Sequence, residues 1–408
     1  MRMSRKPFVW TAAFLASAMA LTACSSSSDS TSGETSSPQA STSAMAPEID
    51  VAAFTADFAE MAKLTDVAAQ GEGLIQVLLP DTTTSTRYVQ YDAPYLKQAF
   101  EAAGLTEGTD FKIDNAGGDV QTMQTTADAA IAAGASVLLV DPLDTGSGVA
   151  IEQKAVEAGA AVIDYDRLVV GGPADRYYVS FDNVVVGELI GQGMIDCVEG
   201  WGVTDPNILV MAGDPKDNNA KLFKEGYMSK LQPLFDDGTY VNAGEPAGTW
   251  VPADAATTFE QQYTADENIN AVVTPNDDNA NAVIAVLKKN KIGEMTFPTT
   301  GQDASLPGLQ NILTGFQCGT VYKPIYLEAQ AAAALALYLR AGLEPPASLV
   351  NATTADSELN ADIPSALAVP IWVTSDNMNA TVVTDGAVTV EDLCAGDVAD
   401  ACTAAGIS

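Results

Sequence analysis

The chain contains no histidine among its 408 residues. Histidine is the side chain that proteins use most often as a general base and as a metal ligand. Its absence excludes Ser-His-Asp catalysis, Cys-His catalysis and histidine-bound zinc. The chain also lacks the G-x-S-x-G and Walker patterns, which mark a catalytic serine and a phosphate-binding loop. We therefore expect no metal, no cofactor and no catalytic residue.

Basic residues are also scarce. The chain has 19 Lys and Arg against 53 Asp and Glu, which gives a formal net charge of -34. Residues 1–23 hold three cations and no acid, so the net charge without them is about -37. A charge of this sign repels phosphate backbones and excludes nucleic acid as a partner. It also keeps an exported protein soluble, and a hydrophobic share of 47% is enough for the cores of two or three domains.

The first 24 residues predict export from the cytoplasm. Basic residues within 1–7 precede an apolar run at 8–21, and small residues come directly before Cys24. This is the order of regions in a secretory signal, and it resembles a bacterial lipobox with Cys24 as the lipidated residue. The alternatives are a plain signal peptide and a membrane-spanning helix, which needs roughly 20 apolar residues. We expect residues 1–23 to be a lipoprotein signal peptide and the protein to be anchored by lipid to the cell membrane.

Two further segments precede the main body of the chain. Residues 24–48 consist largely of Ser, Thr, Ala, Gly and Pro, which predicts a flexible linker because so few apolar side chains can be buried. Within residues 49–70, apolar side chains such as Phe54, Phe58 and Met61 recur at helical spacing. This spacing predicts one amphipathic helix that packs on the body of the protein.

The remaining four cysteines predict two disulfides if Cys24 carries lipid. Four is an even number, and an exported protein meets an oxidising compartment. Cys394 and Cys402 are close in sequence and are expected to pair, which leaves Cys197 to pair with Cys318. A metal site is the alternative, but the chain has neither a C-x-x-C pair nor a histidine to support it.

From residue 74 onward, short apolar runs alternate with amphipathic helical patterns. Continuous apolar runs separated by helices are typical of a parallel sheet that is covered on both faces. The predicted strands lie at 74–79, 111–113, 137–140, 161–165, 208–211, 240–241, 271–273, 299–301 and 316–322. The pattern restarts after residue 180, which indicates two similar α/β halves joined by short crossovers.

Polar side chains follow nearly every predicted strand. Ligands bind at the carboxyl ends of strands in open α/β sheets, so these groups would line one cleft if the two halves face each other. Carboxylates, amides and guanidinium groups suit sugar hydroxyls, which both donate and accept hydrogen bonds, and Trp250 or Tyr88 can cover an apolar face of a sugar. The alternative for a single position is a helix cap or turn residue. For Asp166 and Arg167 it is a surface ion pair.

Five motifs resemble those of the type I periplasmic sugar-binding family, whose members bind xylose and other monosaccharides. They occur in the family's order between residues 74 and 373. They are Tyr165-Asp166-Arg167, Ser180-Phe181-Asp182-Asn183, Asp217-Asn218-Asn219-Ala220-Lys221, Gly301-Gln302-Asp303-Ala304 and Val321-Tyr322-Lys323-Pro324. The resemblance implies an α/β fold with two Rossmann-like lobes, each with a parallel sheet, joined by a multi-strand hinge.

The resemblance also implies where the lobes begin and end. The N-terminal lobe would comprise residues 71–181 and 324–350. The C-terminal lobe and hinge would comprise residues 182–323 and 351–375. Residues 376–408 would form a tail that carries the second cysteine pair, and neither this tail nor the helix before residue 71 has an assigned role.

The ligand contacts follow from the same resemblance. The basic side chains would donate to sugar oxygens, the acidic ones would accept from hydroxyls, and the amides can do both. The implied ligand-binding residues are Arg87, Tyr88, Asp166, Arg167, Asn183, Asp217, Asn219, Trp250, Asn276, Asp303 and Lys323. Tyr88 stands where close relatives usually carry Trp, and Asn183 lies at the first crossover, where a hinge role is the alternative.

The implied function is that of an extracytoplasmic substrate-binding protein of an ABC sugar importer. The ligand would be a monosaccharide, xylose or a related aldose, and the partners would be a membrane permease and its ATPase, with the binding protein itself a monomer. One alternative is a lipoprotein that presents a bound sugar or signal molecule to a membrane receptor. Another is a carbohydrate-active enzyme with two carboxylates across a glycosidic bond, but the surrounding cations and amides favour binding over hydrolysis.

Overall fold

A computed structural model describes residues 47–82 and 85–407. The predicted signal peptide, the lipidation site Cys24 and nearly all of the linker at 24–48 lie outside the described residues. Within the described ranges, no helix combines the length and the apolar character that a membrane crossing requires.

Strands of the described residues form two mostly parallel sheets and one small antiparallel sheet. The strands are β1 (Leu74–Leu79), β2 (Phe111–Asn115), β3 (Ala135–Val140), β4 (Ala161–Tyr165), β5 (Tyr177–Phe181), β6 (Asn207–Val210), β7 (Val241–Gly244), β8 (Ala271–Val273), β9 (Thr320–Tyr322), β10 (Ala352–Asp356), β11 (Ala361–Ala368) and β12 (Ile371–Val373). The first sheet has the order β10-β11-β5-β4-β3-β1-β2, the second has the order β7-β6-β8, and β12 pairs with β9. Only β10 runs antiparallel within the first sheet, and the second sheet is parallel.

Helices cover both faces of the parallel sheets, which confirms the predicted α/β fold. They are α1 (Thr65–Ala68), α2 (Ala93–Ala102), α3 (Val120–Ala132), α4 (Thr145–Glu157), α5 (Asn183–Gly200), α6 (Asn218–Asp236), α7 (Pro252–Ala265), α8 (Asp277–Lys289), α9 (Leu306–Leu313), α10 (Ile325–Arg340), α11 (Val390–Leu393) and α12 (Ala399–Ala404). The interior strands are almost continuously buried, as in β1, β3 and β4, because helices shield them on both sides.

The segment at 49–70 differs from the single helix that its spacing predicts. It consists of two 3-10 helices, Val51–Ala53 and Ala59–Leu64, followed by the short helix α1. Phe58 interrupts the segment because its φ of 59° lies in the left-handed region, which a right-handed helix cannot include. The apolar side chains of the segment are nevertheless buried in the core, as the packing prediction requires.

Residues 351–375 also differ from the prediction, which assigned them to the C-terminal lobe and hinge. Strand β11 pairs in parallel with β5 of the first sheet, and β10 forms the edge beyond it. Only β12 returns to the second half, where it pairs with β9. Alternate residues of β10 are exposed, so this stretch lacks the apolar run that marks a buried strand in sequence.

Within the described residues, the chain crosses three times between the first sheet and the part that contains the second sheet and the β9–β12 pair. The crossings lie after β5, after β9 and after β11.

Both predicted disulfides are present, with Cys197 of α5 bonded to Cys318 before β9, and Cys394 bonded to Cys402. Trp372 of β12 packs against two glycines here, and a Cβ on Gly193 or Gly319 would lie 2.2 or 2.5 Å from its ring.

Candidate functional site

The carboxyl ends of the two parallel sheets face one cavity with about 330 Å³ of empty space. The cavity is lined by Ser85, Arg87, Tyr88, Asp166, Arg167, Asp217, Asn219, Phe223, Trp250, Asn276, Gln302, Asp303 and Lys323. The structure therefore brings together every predicted contact except Asn183. We call the residues from β1 to β5 and α10 the first-sheet side, and those from α5 to β9 the second-sheet side.

Arg87 is the centre of a buried ion network on the first-sheet side. Its Nε and Nη2 donate to the two carboxylate oxygens of Asp92 at 2.9 and 2.6 Å. Nη1 donates to Asp166 Oδ1 at 3.0 Å, and Nη2 also donates to Glu328 Oε2 at 2.8 Å. A guanidinium has five N–H donors, so one Nη1 hydrogen remains for a ligand.

The carboxylate of Asp166 is held in its charged form. Its Oδ2 accepts from the Tyr88 hydroxyl at 3.0 Å, and Lys323 Nζ lies 3.7 Å from its Oδ1. Burial alone raises the pKa of Asp166, but the charges of Arg87 and Lys323 outweigh it and hold the pKa well below its ordinary value. The residue follows β4 with a φ of 59°, a left-handed conformation that turns the chain sharply at the cavity wall.

Arg167 links the first-sheet side to the second. Its Nη1 donates to the carbonyl of Pro142 at 3.0 Å, and its Nε lies 3.2 Å from Asp217 Oδ2. The same Asp217 oxygen accepts the indole N–H of Trp250 at 3.0 Å. Burial raises the pKa of Asp217, although the charge of Arg167 opposes this rise. The Nη2 group of Arg167 makes no hydrogen bond to a described residue and so is available to a ligand.

Asn183 does not line the cavity, which differs from its prediction as a contact. It is the first residue of α5, and its Nδ2 donates to Asn219 Oδ1 and to the Tyr178 hydroxyl, both at 2.9 Å. Asn219 Nδ2 in turn donates to the carbonyl of Asp166 at 2.9 Å. Asn183 is therefore a positioning residue, because it orients an amide that joins the second-sheet side to the first.

Several groups of the second-sheet side have unused hydrogen-bonding capacity. Gln302 Oε1 and Asp303 Oδ1 are buried and have no hydrogen-bond partner among the described residues, although Lys323 Nζ lies 3.3 Å from the Asp303 oxygen. Asn276 uses its Oδ1 to cap α8, which leaves its amide hydrogens. Buried polar groups are costly unless they are paired, so these groups suit a ligand that supplies both donors and acceptors.

Aromatic side chains give the cavity flat apolar surfaces. The Trp250 ring is fixed by its bond to Asp217 and by its close approach to Gly213, where a Cβ would lie 2.2 Å from the ring. Phe223 meets Trp250 edge-on, with 6.5 Å between ring centroids. The guanidinium carbons of Arg87 and Arg167 lie 5.3 and 5.6 Å from the Tyr88 ring centroid.

Three lining residues lie outside the predicted set. Phe223 is four residues after Asn219 on α6, so it shares that helix face, and the spacing alone was the signal. Gln302 lies within the Gly301-Gln302-Asp303-Ala304 motif but was not predicted as a ligand contact. Ser85 comes two residues before Arg87, in a run of hydroxyl residues that offers no reason to prefer one over another. Among the described residues, no group of three or more His, Cys, Asp or Glu side chains is arranged to hold a metal ion.

The comparisons with known proteins agree with this geometry. The periplasmic binding protein domain model matches residues 76–344. The D-xylose-binding periplasmic protein of Escherichia coli (strain K12) is 34% identical over 326 residues, which are 79% of this chain and 93% of that protein. The multiple sugar-binding periplasmic receptor ChvE of Rhizobium radiobacter is 30% identical over 335 residues, 78% of this chain and 91% of that protein.

A solved structure of a sugar-bound protein is also similar to this chain. The carbohydrate transporter solute binding protein of Chloroflexus aurantiacus, in complex with D-glucose, superposes with a TM-score of 0.70 at 27% identity. The match covers 78% of this chain and 97% of that chain. The first two relatives are named for the sugars that they bind, and the third is named as a solute binding protein of a carbohydrate transporter. With more than half of its length matched by the domain model, this chain belongs to the periplasmic binding protein family.

Proposed function

We propose that this protein is the extracytoplasmic substrate-binding component of an ABC sugar importer and that it binds a monosaccharide, xylose or a related aldose. The observation that carries the proposal is the cavity between the two sheets, where cations and carboxylates lie beside buried Gln302 and Asp303 oxygens that have no hydrogen-bond partner among the described residues. A neutral polyol can satisfy all of these groups at once. The relatives named for D-xylose and for multiple sugars support this ligand class.

The proposed mechanism is closure of two lobes around the sugar. One lobe would hold the first sheet, with residues 71–181, 324–350 and the strands β10 and β11. The other would hold residues 182–323 with β12, and the three crossings would serve as the hinge. A sugar shifts the population towards the closed form only through contacts that it makes better there, and groups from both sides of the cavity meet that condition.

The proposed location and partners follow from the sequence and the family. The basic, apolar and small-residue regions before Cys24 support a lipid anchor on the outer face of the cell membrane. A membrane permease and its ATPase would be the partners of the closed, sugar-loaded protein, which would act as a monomer. The cavity residues that would hold the sugar are those of the predicted set that line it.

Calorimetric titration with D-xylose, L-arabinose, D-glucose and D-galactose tests the proposal. We expect at least one aldose to bind with a Kd near 1 μM, which corresponds to about -8 kcal/mol. Asp303→Ala and Arg167→Ala should each remove most of the binding, whereas exposed Asp254→Ala and Lys221→Ala should leave it unchanged. Circular dichroism would confirm that all four variants are folded. Normal binding by both cavity variants, or no binding of any aldose by the wild type, would contradict the proposal.

A further inference from the structure

Asp278 makes a hydrogen bond that joins the second-sheet side to the first-sheet side. It lies in the first turn of α8 on the second-sheet side and is half-buried. Its Oδ2 accepts the backbone N–H of Thr86 at 3.2 Å, and Thr86 belongs to the loop after β1 on the first-sheet side. Separation of the two sides would break this contact and expose the carboxylate.

Two other buried carboxylates have partners on their own side only. Asp277 accepts from Gln317, Thr320 and Ser305, which all lie on the second-sheet side. Glu328 accepts from Arg87, and both belong to the first-sheet side. Opening of the cleft would leave these contacts intact, so closure changes the partners of Asp278 but not those of Asp277 or Glu328.

The charged groups that face Asp278 are acidic. The charges that act on its pKa are those of Asp303, in the loop before α9, and of Asp81, which follows β1 on the first-sheet side. The loop that supplies Thr86 contains only Ser and Thr between residues 82 and 86 and carries no charge. Burial raises the pKa of Asp278 to about 6, the Thr86 N–H opposes this rise, and the charges of Asp303 and Asp81 add to it.

We propose that Asp278 takes up a proton from solvent when the cleft closes, so that the protein holds its sugar more tightly in mildly acidic medium than in neutral medium. The inference rests on the proposed function, because it requires an open and a closed form. The proton goes to Oδ1, and Oδ2 continues to accept from Thr86. Protonation removes the repulsion between Asp278 and its two acidic neighbours, which closure brings into a less solvated space.

The sign of the effect follows from linkage. In an open form the carboxyl is exposed, and its pKa returns towards the ordinary value of about 3.9. The form with the higher pKa binds the proton more tightly, so acid favours the closed form. A closed-form pKa of about 6 predicts that the Kd for sugar is about tenfold lower at pH 5 than at pH 7.

The test is titration of the full-length protein with its best-bound aldose at pH 7, 6 and 5. Asp278→Asn carries a neutral side chain at every pH, so we expect it to bind more tightly than the wild type at pH 7. Its Kd should also stay nearly constant down to pH 5. The matched control is Asp254→Asn, which removes one charge from the first turn of α7 at an exposed position and should keep the tenfold change of the wild type.

Three results would overturn the inference. An equal pH dependence in the wild type and in Asp278→Asn would show that another group titrates. Weaker binding by Asp278→Asn at pH 7 would show that the charged carboxylate favours closure. A wild-type Kd that is constant, or that rises towards pH 5, would show that acid does not strengthen sugar binding. In all three cases sugar still binds, so these failures differ from a failure of the proposed function, in which no aldose binds.

Discussion

The Arg87 guanidinium on the first-sheet side and the Gln302 side chain on the second-sheet side differ in how completely their hydrogen-bonding groups are paired. On the first-sheet side, the Arg87 guanidinium donates four hydrogen bonds to three buried carboxylates. On the second-sheet side, Gln302 and Asp303 keep buried oxygens without a hydrogen-bond partner among the described residues. The network around Arg87 is preorganised because its charges stabilise one another, whereas the Gln302 side chain keeps an acceptor that a ligand can use. Removal of the Arg87 guanidinium should therefore mainly cost stability, and removal of the Gln302 amide should mainly cost affinity for the ligand.

The largest expected effect is on the first-sheet side. Arg87→Met would leave the carboxylates of Asp92 and Asp166 buried without their cation and Glu328 Oε2 without its donor, which should lower the free energy of unfolding by about 3–5 kcal/mol. Urea unfolding of the sugar-free protein measures this loss. The control is Lys154→Met, since Lys154 forms an exposed pair with Asp128 that should contribute less than about 1 kcal/mol. Equal effects of the two changes would contradict the comparison.

On the second-sheet side we expect a smaller effect, which falls mainly on the Kd for sugar and not on the free energy of unfolding. Gln302→Ala removes an acceptor that only a ligand would use, so we expect the Kd for sugar to rise about tenfold. The free energy of unfolding of the sugar-free protein should fall by about 1 kcal/mol or less, for the bond to the Pro275 carbonyl. Gln310→Ala is the control, because Gln310 donates to the C-terminal tail and not to the cavity. An unchanged Kd in Gln302→Ala would show that Gln302 does not bind the sugar.

The smallest expected effect concerns Glu328 in the ion network around Arg87, and it is a change in how stability depends on pH. Burial raises the pKa of Glu328 to about 8, although the charge of Arg87 opposes the rise. The folded protein then holds a proton that the unfolded chain has already released, so this group lowers stability as the pH rises through 8. We expect Glu328→Gln to match the wild type in urea unfolding at pH 7 and to be more stable by about 1 kcal/mol at pH 9. A variant that is equally destabilised at both pH values would show that Glu328 is ionised throughout.

Much of the architecture could be predicted because buried parallel strands are continuous apolar runs. Residues 74–79 and 161–165 read directly as strands, and the polar residues after them had to meet at one sheet edge. Strand β10 escaped prediction because half of its side chains face solvent and it lies at an edge. The segment at 49–70 was predicted as one helix because spacing does not reveal a left-handed residue such as Phe58.

The site could be predicted as a set of residues but not as a set of contacts. Sequence position places Asn183 beside the cavity residues, yet its side chain turns towards Tyr178 and Asn219. Phe223 was missed because an apolar residue on a helix face usually belongs to the core. The partners of Arg87 come from residues 5, 79 and 241 positions away. Such a network depends on the packing of α10 against the first sheet, which no local pattern encodes.

The Cys197–Cys318 disulfide has a mechanical consequence for the three crossings. It fastens the helix that follows the first crossing to the segment that leads into the second, so these parts have to move as one body. The second and third crossings run into Pro324 and Pro370, and a proline ring fixes φ near -65°. Each of these two crossings therefore has one backbone torsion fewer that can change, which reduces the number of torsions through which the sheets could rotate relative to one another.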